Sequence, residues 1–177
     1  MGVREGRDAP MAVDLLTDQV FAAWNTNKDC VGSILGLDMA GAFDHVPGAL
    51  LVHKLRNAGF PPSLAGWTQS FLSERTADIL IQDSVRDCPM PRRGLPQGSP
   101  ASPILFILYT ADLVRMCNEM DPAATCIAFS DDLTLLAVGR TTAETTATLA
   151  RLNQACLQWA RNWGMKFAPE KYELIHL

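Results

Sequence analysis

No window of this chain approaches 18 uncharged apolar residues, so no membrane-spanning helix is expected. The first residues, Met1-Gly2-Val3-Arg4-Glu5-Gly6, hold no apolar signal core, and Gly6 stands where a myristoylation signal requires Ser or Thr. An intracellular protein, nuclear or cytoplasmic and without a membrane partner, is the expectation. Cysteine is sparse and unpatterned. Cys30, Cys88, Cys117, Cys126 and Cys156 are odd in number and form no C-x-x-C pair, which argues against a zinc site or a disulfide framework. Free thiols in a reducing compartment are the default. His45, His53 and His176 are scattered, without metal-ligand spacing. Basic charge is also short: 15 Lys and Arg against 19 Asp and Glu leave a net charge of −4. That weighs against an extended phosphate-binding surface, but it leaves room for an acidic catalytic centre with local basic rims. Internal repeats and low-complexity linkers are lacking as well.

What is there is an ordinary globular composition. The 177 residues are 48% hydrophobic and 19% charged, enough for one core and one domain. Leu15, Leu16, Val20, Phe21, Ala23 and Trp24 predict a helix over 11–25. The apolar run 33–37 predicts a buried strand ending at Asp38. Residues 47–58 and 61–73 read as two helices, broken at Gly59-Phe60-Pro61-Pro62. Ile79-Leu80-Ile81 and the run near Val85 predict a hairpin around Asp83-Ser84. Ser99-Pro100 opens a helix, since proline is tolerated in a first turn. Ile104, Ile107, Leu108, Ala111 and Val114 are its predicted buried face. Thr141 and Glu144 form a capping box for a helix bearing Leu149, Leu152, Cys156, Trp159 and Trp163, which Gly164 ends. That stripe suits a helix packed on a sheet. Residues 172–177 close the chain as a strand. Strands and helices mix without βαβ alternation, so the expected class is α+β: a small antiparallel sheet with helices on one face.

Three segments carry candidate chemistry. Phe129-Ser130-Asp131-Asp132 lies between the apolar runs 125–129 and 133–138, and reads as strand, two-acid turn, strand. Alternation along a strand sends adjacent side chains in different directions. Neighbouring acids repel, and are held together cheaply only where solvent or a cation relieves the charge. Turn chemistry alone would explain an isolated Asp-Asp pair. In Leu37-Asp38-Met39-Ala40-Gly41-Ala42-Phe43-Asp44, however, another carboxylate ends a strand. The small residues after it let a phosphate approach backbone N–H groups. In the segment from Arg93 to Pro103, two glycines and three prolines stiffen a loop before a helix N-terminus, with Gln97 at its crest offering a donor and an acceptor. Three carboxylates on two strand ends suit two divalent ions of the hard, oxygen-seeking kind, and two such ions serve in-line phosphoryl transfer.

In this order, LDMAGAFDHV, GLPQGSPASPILF, FSDD and KFAPEKYELIHL resemble palm motifs A to D of the reverse transcriptases of non-LTR retrotransposons, nearest to elements common in fungal genomes. WTQSFLSERT, residues 67–76, resembles the same family, and residues 2–12 resemble its G-F-R-x-G-R-S-T segment with Asp8-Ala9 in place of Ser-Thr. The resemblance implies a polymerase palm-like fold and an RNA-directed DNA polymerase. Its implied partners are an RNA template, a DNA primer and dNTPs; its implied cofactor is a pair of Mg²⁺ ions, for which Mn²⁺ is an admissible substitute. Asp38, Asp131 and Asp132 are the implied metal ligands and catalytic acids. Lys171 is placed to protonate or neutralise the leaving pyrophosphate. Met39 is implied to offer a backbone carbonyl to a metal, and Gly41 and Ala42 their amides to the triphosphate. Phe43 matches the aromatic residue under the sugar, and Gln97 the glutamine beside the nucleotide. Asp44 is implied to be structural. Residues 1–30 read as a remnant of the fingers and N-terminal helix, and 31–177 as the palm, with no thumb. The alternative is a shortened, inactive remnant or binding module that keeps the palm fold.

Overall fold

The computed structural model describes residues 9–81, 84–89 and 93–177. Residues 2–8 of the N-terminal segment and Asp83 of the expected hairpin turn lie outside the described residues. The chain divides into two units, one of residues up to Ala42 together with Thr110–Leu177, the other Phe43–Tyr109.

The first unit holds helix α1 (Ala9–Thr26) and a four-stranded sheet of order β4-β5-β1-β6. Its strands are β1 (Val31–Asp38), β4 (Ala124–Phe129), β5 (Asp132–Gly139) and β6 (Glu173–His176), and every pairing is antiparallel. Alternation sorts the side chains. Ser33, Leu37, Cys126, Leu133, Leu135 and Ala137 share one face and are all buried. Helix α6 (Thr142–Trp163) covers that face with Leu149, Leu152, Cys156 and Trp159, and Ser33 Oγ lies 2.6 Å from Thr145 Oγ1 of α6. This is the helix-on-sheet packing read from its stripe. Toward the other face, α1 brings Val20 against Gly32.

The start of α6 follows its sequence, with one difference. Thr141 Oγ1 accepts from the Glu144 N–H at 3.2 Å, while the Glu144 carboxylate reaches past the N-cap to the Arg140 N–H at 2.8 Å. Gly164 ends the helix at φ 68°, the left-handed conformation glycine adopts most cheaply. Cys117, Cys126 and Cys156 are buried free thiols, with Cys117 and Cys156 Sγ atoms 3.5 Å apart. Hydrogen bonding to Cys117, then burial, raises the pKa of Cys126 and of Cys156, so both stay protonated.

The second unit begins within the short helix α2 (Ala42–His45), continues through α3 (Gly48–Asn57) and α4 (Pro62–Leu72), and includes the hairpin of β2 (Thr76–Ile81) and β3 (Ser84–Pro89). α3 and α4 flank the predicted Gly-Pro break. The unit ends within α5 (Ala101–Met120), which starts one residue after Pro100. The expected buried face of α5 is wrong in phase. Leu105, Phe106, Tyr109, Leu113 and Cys117 are buried, whereas Ile104 is 51% exposed and Ala111 is exposed. This helix is apolar around most of its circumference, so periodicity alone does not select the face. Lys54 of α3 is buried; its ammonium donates to the Tyr109 carbonyl at 2.7 Å and lies 4.6 Å from the Tyr109 ring centroid.

Candidate active site

The β1–β5 register sets Asp38 directly opposite Asp132. Paired residues of an antiparallel ladder share a face. Counting by twos from Ser33 and Leu135, both acids fall on the face turned away from α6. The hairpin that presents the second acid differs from the expected two-acid turn. Phe129 pairs with Asp132, so the turn is Ser130-Asp131 and Asp132 already opens β5. Ser130 takes φ 54°, a left-handed conformation costing a non-glycine residue about 1–2 kcal/mol. Strain of this kind gathers at sites where side-chain placement matters more than stability.

The segment 166–171 brings a cation to the acids. Ala40 N–H donates to Lys166 O at 3.0 Å and Ala168 N–H to Asp38 O at 2.9 Å, closing an antiparallel bridge between Met39 and Phe167. In such a bridge the central residue's own carbonyl points away from its partner, so the Met39 carbonyl is turned from Phe167 although its side chain is buried. Gly41 follows at φ 54°, and Ala42 is buried at the start of α2. After the bridge, a 3-10 turn (Pro169–Lys171) carries Lys171 back over β1. Its ammonium lies 3.3 Å from both carboxylate oxygens of Asp38.

Like charges facing across a ladder are unfavourable. Partial burial, then the charges of Asp131 and Asp38, raise the Asp132 carboxyl above the ordinary 3.8, while Lys171 pulls it back. Of the two repelling charges, Asp38 is the one that the ladder itself sets opposite Asp132, while Asp131 acts from the adjoining turn. The folded chain then holds this proton to higher pH than the unfolded chain does. The stability it contributes is full below pH 3.8 and is lost as pH rises through the raised value. Asp132→Asn, which cannot ionise, should gain on the wild type as pH rises from about 4 to 7 in metal-free buffer. Urea midpoints measured across that range check this; a pH-independent difference would remove Asp132 from the cluster.

Among the described residues, no three His, Cys, Asp or Glu side chains close on a common point to cage a metal. The donor chemistry nevertheless fits Mg²⁺, which takes one or two carboxylates and completes its shell with water and substrate phosphates. Two carboxylates opposed on one rung of the β1–β5 ladder, with a third in the adjoining turn, are donors of that chemical type.

The second unit carries Phe43 and Gln97. Half-buried Phe43 stacks on buried Phe106, ring centroids 5.0 Å apart and planes at 28°. Gln97 is exposed at the crest of its loop, and its Nε2–H donates to Asp44 Oδ1 at 3.0 Å. The sequence held no local signal for this pair, whose members stand 53 residues apart.

A small antiparallel sheet, backed by helices and ending in opposed carboxylates at a strand end and a hairpin, is the palm-like α+β architecture of a polymerase. The telomerase of Candida Tropicalis without its C-terminal domain shares the fold, with a TM-score of 0.76 at 14% identity over 96% of this chain and 35% of that one. The chain belongs to the family described as reverse transcriptase (RNA-dependent DNA polymerase), which matches residues 4–176. It is 28% identical to the RNA-directed DNA polymerase from mobile element jockey of Drosophila melanogaster, over 96% of this chain and 19% of that protein. It is 28% identical to the Pol polyprotein from type-1 retrotransposable element R2 of Popillia japonica, over 59% of this chain and 18% of that protein. The chain thus spans about a fifth of the length of these relatives. The resemblance to non-LTR retrotransposon reverse transcriptases is borne out. No helix of the described residues is long and apolar enough to cross a membrane.

Proposed function

We propose that this chain is the palm of an RNA-directed DNA polymerase that adds dNTPs to a DNA primer on an RNA template. The observation that carries the reading is the ladder rung Asp38–Asp132, with Asp131 in the adjoining turn and Lys171 on Asp38. Asp38, Asp131 and Asp132 would hold two Mg²⁺ ions, or Mn²⁺. When bound, such ions supply activation of a primer 3′-hydroxyl and charge stabilisation of the leaving pyrophosphate.

The residues of the chain do the rest by position and charge. The Met39 carbonyl would add a neutral oxygen ligand beside the acids. The Gly41 and Ala42 amides bind triphosphate oxygens. Phe43, held by Phe106, lies beneath the sugar and rejects a 2′-hydroxyl by contact. Gln97 contacts the incoming nucleotide. Lys171 neutralises or protonates the departing pyrophosphate. Its ion pair with Asp38 is exposed, 61% for the lysine side chain, so it is weak and readily exchanged for another partner.

Primer extension tests the reading. The purified chain, given Mg²⁺, a primed RNA template and dNTPs, should extend the primer, and Asp131→Ala should abolish it. Extension that survives Asp131→Ala sinks the proposed site. No extension by the wild type, with Mg²⁺-dependent thermal stabilisation that Asp38→Ala removes, would identify a metal-binding remnant instead.

A further inference from the structure

Within Phe43–Tyr109 the Gln97 loop is fastened to the chain that follows β1. Gly94 N–H donates to Val46 O at 2.9 Å and Leu95 N–H to Phe43 O at 2.8 Å. Arg93 and Pro47 form a further bridge, and the Arg93 guanidinium donates to His45 O at 3.4 Å. Gly94 sits so close that a Cβ there would lie 2.9 Å from Asp44 O. On the far side, the buried Ser102 hydroxyl donates to Pro96 O, so both ends of the loop crest are held. The backbone of 93–96 is thereby fixed beside Asp44.

We infer that Asp44 is a positioning residue for Gln97. This rests on the polymerase reading, in which Gln97 meets the nucleotide. An ionised carboxylate only accepts hydrogen bonds, so it selects one of the two amide orientations of Gln97: NH₂ toward Asp44, Oε1 away from it. Gln97 then meets its ligand with a carbonyl oxygen, an acceptor for a hydroxyl or a base N–H of the nucleotide. Both side chains are exposed, so the bond is not needed to satisfy a buried group. Its consequence is orientation. Freed from Asp44, the amide would rotate and flip, and each wrong orientation would subtract from nucleotide affinity.

Two measurements on the full chain test this. In steady-state primer extension, Asp44→Ala should raise the KM for dNTP by about tenfold with kcat within about twofold, the size of one charge-assisted hydrogen bond. Gln97→Ala should do the same, and the double variant should add nothing further. Asp44→Asn, which keeps an acceptor oxygen, should recover most of the loss. A KM that rises in Gln97→Ala but not in Asp44→Ala overturns the inference, as does additivity of the two. The second measurement needs no activity. The side-chain amide pair of Gln97 in a ¹H–¹⁵N spectrum, assigned by its loss in Gln97→Ala, should move to the position of a free glutamine amide in Asp44→Ala and return toward its native position in Asp44→Asn. An unmoved pair overturns the positioning role. A moved pair in a chain that extends no primer keeps the Asp44–Gln97 contact, overturns its role in nucleotide binding, and places the failure in the polymerase reading.

Discussion

On the proposed polymerase reading, Asp38→Asn should slow primer extension by about a thousandfold while leaving the fold no less stable than the wild type. The two halves of this result have separate causes. Charge stabilisation by bound metal is worth several kcal/mol in the transition state, and about 4 kcal/mol corresponds to three decades in rate. The amide introduced by Asp38→Asn keeps the shape of the side chain and removes the charge that would hold the metal. For stability two small terms oppose each other. Removing one of two like charges that face across the β1–β5 ladder is favourable by about 0.2–1 kcal/mol. Losing the Lys171 pair costs a similar amount at most, since the lysine and aspartate side chains are 61% and 29% exposed. A purely structural aspartate would behave the other way, with stability falling and residual rate following the folded fraction. Single-turnover extension and urea unfolding of the same preparation separate the cases. A rate within tenfold of wild type would dismiss Asp38 as a ligand.

Gly94→Ala is expected to be the most destabilising single-methyl change in the Gln97 loop, at about 4 kcal/mol. Part of that is conformational, because φ is +90° and a non-glycine residue there carries about 1–3 kcal/mol of strain. The rest is contact. The new Cβ would meet the Asp44 carbonyl oxygen at 2.9 Å and its Cα at 3.0 Å, and backbone atoms cannot swing aside as a side-chain tip can. Relief would stretch the bonds from Gly94 to Val46 and from Leu95 to Phe43, each worth about 1 kcal/mol. Gly98 is the control. It has φ +81° with nothing within 4 Å of its would-be Cβ, so Gly98→Ala should cost only about 1–2 kcal/mol. Equal shifts in the urea midpoint for the two variants would show that the close approach at Asp44 is relaxed in solution.

Legibility in the sequence varied by element. Helix α6 is readable from end to end, since its cap, its stripe and its terminal glycine are local signals that agree. The two helices around the Gly-Pro break and the strand ending at Asp38 were readable for the same reason. The buried face of α5 was not, because Ile104 and Leu105 are equally apolar and only packing distinguishes them. The turn at Ser130-Asp131 was displaced by one residue from expectation, because ladder pairing overrides the preference of Asp for turns. Each of the acids Asp38, Asp131 and Asp132 was individually visible. The Asp44–Gln97 pair and the way the Met39–Phe167 bridge delivers Lys171 were not.

By itself the sequence determined the inventory of this protein: four ordered motifs, their acids, glutamine and lysine, and the local signals that put each on a strand end, a turn or a loop. Those are matters of composition and near-neighbour chemistry, which a linear chain carries in full. Only the tertiary structure decided that Asp38 faces Asp132, that Lys171 closes on Asp38, and that Asp44 rather than solvent holds the Gln97 amide. Each of these depends on a register or a close backbone approach between distant segments. A register shifted by one residue would have turned the same acids to the opposite face.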